Sequence, residues 1–527
     1  MIRVNEIKVP IEVYNNKQEL KNVVCKQLGI ENTDLINLNI VKRSIDARNK
    51  NNIHYKFNFD LTVSGKAQKE LLTNGKATLV EDEEICVSKV KTKKTVVVVG
   101  SGPAGLFSGL TLAEAGIKVV LLERGECIED RIKTVDKLLS FGEFNNKSNI
   151  QFGEGGAGTF SDGKLNTGIK SPLINGILKS FYEFGAPEEI LYDAKPHIGT
   201  DRLRRVVVNI REKIKSLGGE VLFNSTFMGF KQNDNNYKVF YQTNNTVQEI
   251  EADDIVLAVG YSARDTLRNL YKNGLGFKQK PFSVGYRIEH LQTDIDKSQY
   301  GKERGEYLPP ADYKLFAHLP NGRTVYTFCM CPGGVVVPAM SDEGQIVTNG
   351  MSYHARDGKN ANSAVLVSVD ENDYGSSHPL AGMDYQENLE KTAYVKGEGK
   401  FICSTVGDFL KGETTIRLGK VIPTIKPEYK LGKCDELLPK ELAESIKQGL
   451  VLLGKKLKGF DSAGAVLTGI ETRSSAPFMI PRNLELETNI KNVYAVGEGA
   501  GMAGGIISSA VDGKKIALKI IDKYSRG

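Results

Sequence analysis

The stretch that most constrains this chain is Thr95 to Arg124, TVVVVGSGPAGLFSGLTLAEAGIKVVLLER. The apolar run Val96 to Val99 is too short for anything but a buried strand. Gly100, Gly102 and Gly105 follow at G-x-G-x-x-G spacing, with Pro103 and Ala104 opening a helix between the last two. A second apolar run, Val119 to Leu122, ends in Glu123 and Arg124. Strand, tight turn, helix, strand and terminal acid in this order make the dinucleotide-binding unit of a doubly wound sheet. Gly100 permits the turn, Gly102 lets a pyrophosphate reach the backbone, and Gly105 lets the helix pack closely on the strand. The helix start offers free N–H groups and a positive dipole end to phosphates. Glu123 is placed to accept hydrogen bonds from ribose hydroxyls, and its charge disfavours a 2′-phosphate there.

Composition sets the outer limits. A chain of 527 residues holds two or three domains with ample core. Seventy basic residues against 64 acidic ones leave +6, too mild a charge to imply nucleic acid or a membrane surface. No apolar run approaches the roughly 20 residues that span a bilayer. The opening MIRVNEIKVP has no apolar core of the signal-peptide kind. Seven scattered cysteines do not form a disulfide framework, so a reducing, cytoplasmic setting is expected.

Residues 1–92 read as a small α+β domain. Ile53, Tyr55, Phe57, Phe59, Leu61 and Val63 alternate with polar residues, as a half-buried strand does. With strands near Ile2 to Val9, Leu35 to Arg43 and Ala77 to Val87, and helices near Lys17 to Gly29 and Ala67 to Leu72, the order is βαββαβ, a ferredoxin-like pattern. Such a domain could bind RNA, a partner or a substrate. It lacks the aromatic pair on a basic face that base stacking needs, so nucleic acid is not expected and a docking or lid module is the plainer reading. Residues 93–280 form the first part of the nucleotide-binding domain, 281–460 an inserted β-rich domain and 461–527 the closing part.

A second glycine-rich run, QFGEGGAGTFSDGKL, lies in the first part. Gly155, Gly156, Ala157, Gly158 and Gly163 leave many amides unshielded, and Ser161, Asp162 and Lys164 can add side-chain hydrogen bonds to a cofactor. Asp253 to Gly260, DDIVLAVG, returns to the parallel sheet. Near the C-terminus Thr488 precedes Val493 to Glu498, VYAVGE, and then Gly504, Gly505 and Ile506 open a last helix.

Three of these segments resemble, in order, the FAD fingerprint, the A-T-G motif (with Val259 for Thr) and the closing T-x-x-x-x-h-h-h-h-G-D motif of the glutathione-reductase and p-hydroxybenzoate-hydroxylase superfamily. Glu498 stands where that last pattern has Asp. Together with GEGGAGTFSDGKL, CMCPGG and GIETRSSAP, the chain resembles the bacterial family of uncharacterised FAD-dependent dehydrogenases over most of its length. The resemblance implies FAD rather than NAD at Gly100 to Gly105, further cofactor contacts at Gly260, Gly497, Glu498 and Gly504 to Ile506, and an insert that covers the flavin and binds substrate. In that superfamily the last helix start approaches the flavin pyrimidine, where its dipole stabilises the reduced ring.

For chemistry, four features of the insert and its border are candidates. Arg287 can fix an anionic substrate or form a surface ion pair with Glu289 or another acid. Cys329 and Cys331, two apart on a strand, have side chains that run side by side rather than towards each other, which makes a disulfide between them poor. His354 can act as a general acid or base, or be a solvated loop residue. Arg473, leading into the closing motif, is the first choice for a substrate or flavin contact. No second complete fingerprint and no C-x4-C redox pair occur, so NAD(P)H, if used, docks transiently. No residue group has metal-ligand spacing. The expected function is transfer of hydride between FAD and a small organic substrate; the alternative is a flavin-containing binding or RNA-processing factor.

Overall fold

The computed structural model describes residues 1–80, 87–234 and 236–526. The N-terminal unit runs β1 (Ile2–Pro10), α1 (Lys17–Leu28), β2 (Leu35–Asp46), β3 (His54–Val63), α2 (Gly65–Thr73) and β4 (Thr78–Leu79). Its sheet order, β2-β3-β1-β4, is the ferredoxin-like one. The alternation in β3 does what the sequence implies: Tyr55, Phe57, Phe59 and Leu61 are buried, with Phe57 and Phe59 stacked at 5.2 Å. Most of the last expected strand, residues 81–86, lies outside the described residues.

The nucleotide-binding domain is built on five parallel strands. They are β5 (Thr95–Val99), β6 (Lys118–Leu122), β7 (Glu220–Leu222), β11 (Asp254–Leu257) and β23 (Val493–Ala495), in the order β23-β11-β5-β6-β7. The first strand is thus central and the chain reverses direction of travel between β5 and β11, the switch point at which doubly wound sheets bind ligands. Alternate valines of β5 serve the two faces. Val96 and Val98 meet α3 (Pro103–Glu114), α5 (Leu173–Glu183), α6 (Thr200–Ser216) and α13 (Ile506–Ser525). Val97 and Val99 meet the antiparallel meander β8 (Thr226–Asn233), β9 (Asn236–Thr243), β10 (Thr246–Ala252), together with α7 (Arg264–Lys272). α4 (Ile128–Phe141) leads from β6 into the glycine-rich segment.

The insert opens with β12 (Lys278–Gln279), β13 (Phe282–Leu291), α8 (Gln292–Tyr300), β14 (Phe316–His318), β15 (Thr324–Cys331) and the hairpin β16 (Val335–Pro338), β17 (Thr348–Met351). It continues with β18 (Asn360–Val369), α9 (Glu371–Tyr374), α10 (Ala381–Gly397), β19 (Phe401–Thr405), α11 (Val406–Lys411), β20 (Tyr429–Leu431) and α12 (Lys440–Lys456). β21 (Val466–Glu471) follows, then β22 (Phe478–Met479), which pairs with β12. The main sheet has the order β14-β15-β18-β13-β21-β19-β20. β21, expected in the closing part of the nucleotide-binding domain, pairs with β13 and β19 instead, so the sheet of the insert reaches Glu471. One sheet face is apolar, with Val284, Tyr286 and Ile288 packed towards α12 and Phe409. The other is polar, carrying Arg287 and Glu289, and it faces the nucleotide-binding domain through β16 and β17, whose Val337 and Met351 pack on Ile128, Val135 and Phe160. No helix of the described residues is long and apolar enough to cross a membrane.

Candidate functional site: a cofactor cradle under the insert

At the switch point the backbone turns as the fingerprint requires. Gly100 has φ +99°, and a Cβ there would land on the carbonyl oxygen of Ala258. Gly105 has no room for a Cβ against the Gly100 carbonyl. Gly102 caps α3 without any side-chain partner, Pro103 takes the first helical position, and Ala104 lies against Gly497.

The glycine-rich segment folds over this turn. The Gly155 amide donates to the Ser101 carbonyl at 2.9 Å, and a Cβ on Gly156 would stand 3.0 Å from the Gly102 Cα. Ala157–Phe160 form one turn of 3₁₀ helix, with Gly158 against Pro103 and Ile506. What holds the segment is Arg131 of α4, which is fully buried. Its guanidinium donates to five carbonyls: Asn149 (3.0 Å), Ile150 (3.1 Å), Gly153 (3.1 Å), Glu154 (2.5 Å) and Gly156 (2.9 Å). Burial pushes its pKa down to about 9. The Phe160 ring lies between Arg131 and Arg204, with the guanidinium carbons 4.7 and 4.5 Å from its centroid.

Three chain segments therefore converge: the head of α3, the 3₁₀ turn and the head of α13. Among the described residues, no acceptor meets the amides of Gly102, Ala104 and Gly105, of Ala157 and Gly158, or of Ile506 and Ile507. Several of these residues are buried. Unpaired buried N–H groups at helix starts are costly unless an anion satisfies them, so the cradle fits a diphosphate. Beyond it, the Glu498 carboxyl meets no hydrogen-bond partner among the described residues, and it shares a cleft with Lys280, Ser475, Ala476 and Gly501 to Gly504. Burial pushes its carboxyl up to about 8, and the Lys280 ammonium offsets only part of that. An orphaned carboxylate fits a hydroxyl-rich chain such as the ribityl of FAD, and Gly497, with φ +72°, presents it.

A protein of Clostridium beijerinckii described as uncharacterised is 45% identical over 539 residues, covering 99% of each chain. Residues 281–474 match the family described as FAD-dependent protein, C-terminal domain-like. The chain belongs to a family of FAD-dependent proteins. Residues 94–266 of this FAD-dependent protein match the pyridine nucleotide-disulphide oxidoreductase family, and residues 1–62 a domain of unknown function. Similar solved structures include a geranylgeranyl bacteriochlorophyll reductase-like protein from Thermoplasma acidophilum, 12% identical, with 82% of this chain and 83% of that one covered and a TM-score of 0.36. Another is the halogenase PltM in complex with phloroglucinol and FAD, 11% identical, with coverage of 82% and 71% and a TM-score of 0.39.

The cofactor of this FAD-dependent protein is FAD, yet several side chains are placed differently from the sequence expectation. Glu123 is buried and already accepts from Ser101 N (2.9 Å), Ser101 Oγ (2.6 Å), Gly125 N (2.9 Å) and Gly153 N (3.2 Å). Those donors fill the roughly four lone-pair sites of a carboxylate, so Glu123 staples the two glycine-rich turns and has none left over for a ribose. Arg124 ties β6 to α7 through Asp265 (2.9 Å) and Thr266 (2.7 Å). Ser161 turns back on the Gly158 carbonyl at 2.7 Å.

Asp162 and Lys164, expected on the cofactor, face the insert. Asp162 accepts from Ser352 Oγ and from Arg356 (3.0 Å), with Lys164 at 3.3 Å and His197 at 3.8 Å. Lys164 and Arg356 hold its carboxyl well below the usual range, while burial pushes His197 down to about 3, so His197 is neutral. Lys164 Nζ also donates to the Met330 carbonyl. Gly163, with φ +69°, packs on Gly199. His354 stacks on His197 at 6.0 Å and bonds the Ile198 carbonyl through Nδ1 at 2.9 Å. Gly260, with φ +70°, packs against Gly499 beside the closing motif.

Arg287 is neither at the surface nor paired with Glu289. It is fully buried and donates to both Glu471 oxygens (3.0 Å each), Asn362 (2.8 Å), the Cys329 carbonyl (2.5 Å) and Cys331 Sγ (3.3 Å). With every nitrogen engaged it anchors the bulge of β15 and cannot also grip substrate. Cys329 is an exposed free thiol with φ +42°, and Cys331 is buried. Arg473 joins Arg264 on one buried carboxylate, Glu390 of α10. Both pairs are bidentate at 2.7–3.1 Å, and Thr472 Oγ1 adds a bond of 2.7 Å. Two cations against one anion leave a net positive charge, and Arg473 Nη1 meets no hydrogen-bond partner among the described residues.

Arg131, Arg264, Glu390, His197 and Ser352 were not singled out from the sequence. A signal existed for three of them. Arg131 falls on the buried stripe Ile128, Val135, Leu138 of α4, Glu390 beside Gln386, Leu389 and Ala393 of α10, and Arg264 with Leu267 and Leu270 of α7. A charge on an apolar stripe marks a buried, partnered ion.

Proposed function

We propose that this protein is an FAD-dependent oxidoreductase that passes a hydride between the flavin and a small organic substrate held beneath the polar face of the insert sheet. The reading rests on one observation above others: unpaired amides from three segments meet at the switch point, in a chain of an FAD-dependent family. Bound FAD would supply the two-electron chemistry, while the protein binds, orients and excludes water. The amides of Gly102, Ala104, Gly105, Ala157 and Gly158 would hold the diphosphate, and the Glu498 carboxyl would share hydrogen bonds with hydroxyls of the linking chain. Ile506 and Ile507 direct the positive end of α13 towards negative charge on the reduced cofactor. Arg473 offers its unspent N–H and the net charge of its cluster to an anionic group of substrate or flavin. NAD(P)H, where it serves as reductant, docks transiently, since the chain carries no second complete fingerprint.

The test is anaerobic mixing of FAD-loaded protein with NADH or NADPH, followed by a panel of organic acceptors, with the flavin band recorded throughout. Bleaching and acceptor-dependent recovery are the expected results; a flavin that no donor reduces rejects the reading. Arg473→Ala is expected to retain FAD and slow turnover by about tenfold or more, a loss of roughly 1.4 kcal/mol in transition-state binding. Unchanged kinetics would remove Arg473 from the site.

A further inference from the structure

We infer that Arg131 is the positioning residue for the cofactor: it sets the backbone of the glycine-rich segment so that its amides face the fingerprint turn and the diphosphate. The inference rests on the FAD reading of the same cradle.

Arg131 is an unusual cation. It is fully buried, yet among the described residues it forms no ion pair; its hydrogen bonds go to main-chain carbonyls of residues 149–156. Burying a charge is expensive unless every donor is met, so a guanidinium is kept here for what its geometry does. A planar fork with five N–H groups is the one side chain that can collect five carbonyls from separate peptides.

Collecting the carbonyls decides where the amides go. In a trans peptide C=O and N–H point in opposite directions. Carbonyls 149, 150, 153, 154 and 156 turned towards Arg131 therefore turn amides 150, 151, 154, 155 and 157 away from it. The outcome is visible at three of these. The Glu154 amide reaches the Glu126 carbonyl (3.0 Å), the Gly155 amide the Ser101 carbonyl (2.9 Å), and the Ala157 amide is left without an acceptor at the head of the 3₁₀ turn, beside Gly102. The glycines are needed for the same reason: Gly153, Gly155 and Gly156 have φ +113°, +80° and +63°, and a Cβ on Gly153 would strike the Arg131 side chain. The Phe160 ring covers the guanidinium, with its centroid 4.7 Å from the Arg131 guanidinium carbon and 4.5 Å from that of Arg204.

The experiment compares wild type, Arg131→Lys and Arg131→Gly as apoproteins titrated with FAD, reading quenching of flavin fluorescence, and repeats the glycine variant with millimolar methylguanidinium. Lysine keeps the charge but not the fork. It is expected to weaken FAD binding about tenfold or more, equivalent to about 1.4 kcal/mol. The glycine variant is expected to weaken it further and to recover with methylguanidinium, which a general loss of stability would not do. Amide exchange of residues 150–158 in the apoprotein is expected to quicken in both variants. A lysine variant within threefold of wild type overturns the inference, as does a folded glycine variant that methylguanidinium leaves unrescued. Wild-type protein that binds no FAD would overturn the cofactor reading itself, a result distinguishable from either.

Discussion

At the scale of single residues, the buried charges decide most of what can be tested. Glu498 has a folded pKa of about 8 against an ordinary value of 4.5. Between those values the folded chain holds a proton that the unfolded chain has released, so its contribution to stability falls as pH rises from about 4.5 to 8. The penalty at pH 8 is on the order of a few kcal/mol. Glu498→Gln removes it. Apoprotein carrying that change is expected to melt higher than wild type at pH 8.5, with the gap closing near pH 5, while binding FAD more weakly. Equal melting curves at both pH values would show that the folded apoprotein does not hold the carboxyl neutral above its ordinary range. The Arg287–Glu471 pair predicts the opposite sign. Glu471→Gln leaves a buried guanidinium uncompensated and is expected to cost roughly 3–5 kcal/mol in urea unfolding. The fingerprint glycines were legible in the sequence because each answers to a local backbone demand. The role of Glu123 was not, because spacing marks the end of a strand and says nothing of which amides arrive there from residue 153.

Among the elements, the two glycine-rich turns behave as one unit, stapled by Glu123 and by the Gly155 amide on Ser101. Gly156→Ala tests that unit at its tightest approach. The residue has φ +63°, and its new Cβ would stand 3.0 Å from the Gly102 Cα. A cost of about 1–3 kcal/mol is expected from the backbone alone, together with a loss of FAD affinity that Gly168→Ala, in open space, does not share. Parallel loss in both variants would mean that the effect is general. Strands β5 and β6 and helix α3 could be read from sequence because short apolar runs and punctuation define them. The meander could not. Gly229 to Phe240 reads as one strand, but the chain turns between Asn233 and Asn236 and pairs back on itself, with β10 added. The long helices α10 and α12 were also missed inside a segment read as β-rich, because their apolar residues serve a sheet contributed by distant parts of the chain.

For the whole molecule, the question is what the N-terminal unit does for the rest. It is not tethered by its linker alone. Arg43 of β2 pairs with Asp193 through Nε (2.7 Å) and Nη2 (3.0 Å). Its amide donates to the Tyr192 carbonyl (2.7 Å), and its carbonyl accepts from Ala194 (2.8 Å). The guanidinium also lies over the rings of Tyr14 and Tyr192, at 5.5 and 5.1 Å. On the other side Lys50 reaches the Ser298 carbonyl (2.7 Å) and Tyr55 the Tyr307 carbonyl (3.2 Å), so the unit touches both the nucleotide-binding domain and the insert. None of these contacts involves the cofactor cradle. Arg43→Ala should therefore loosen docking without touching FAD. Hydrogen bonds to a charged, partly buried pair are worth about 1.5–3 kcal/mol, enough to raise the undocked fraction by about tenfold or more. Trypsin reports that fraction, since Lys89, Lys91, Lys93 and Lys94 lie exposed between the two units. Faster cleavage there with unchanged flavin content is the expected result. Flavin lost together with docking would instead make the N-terminal unit part of the cofactor site, and would move the search for its role from a docking module to a lid.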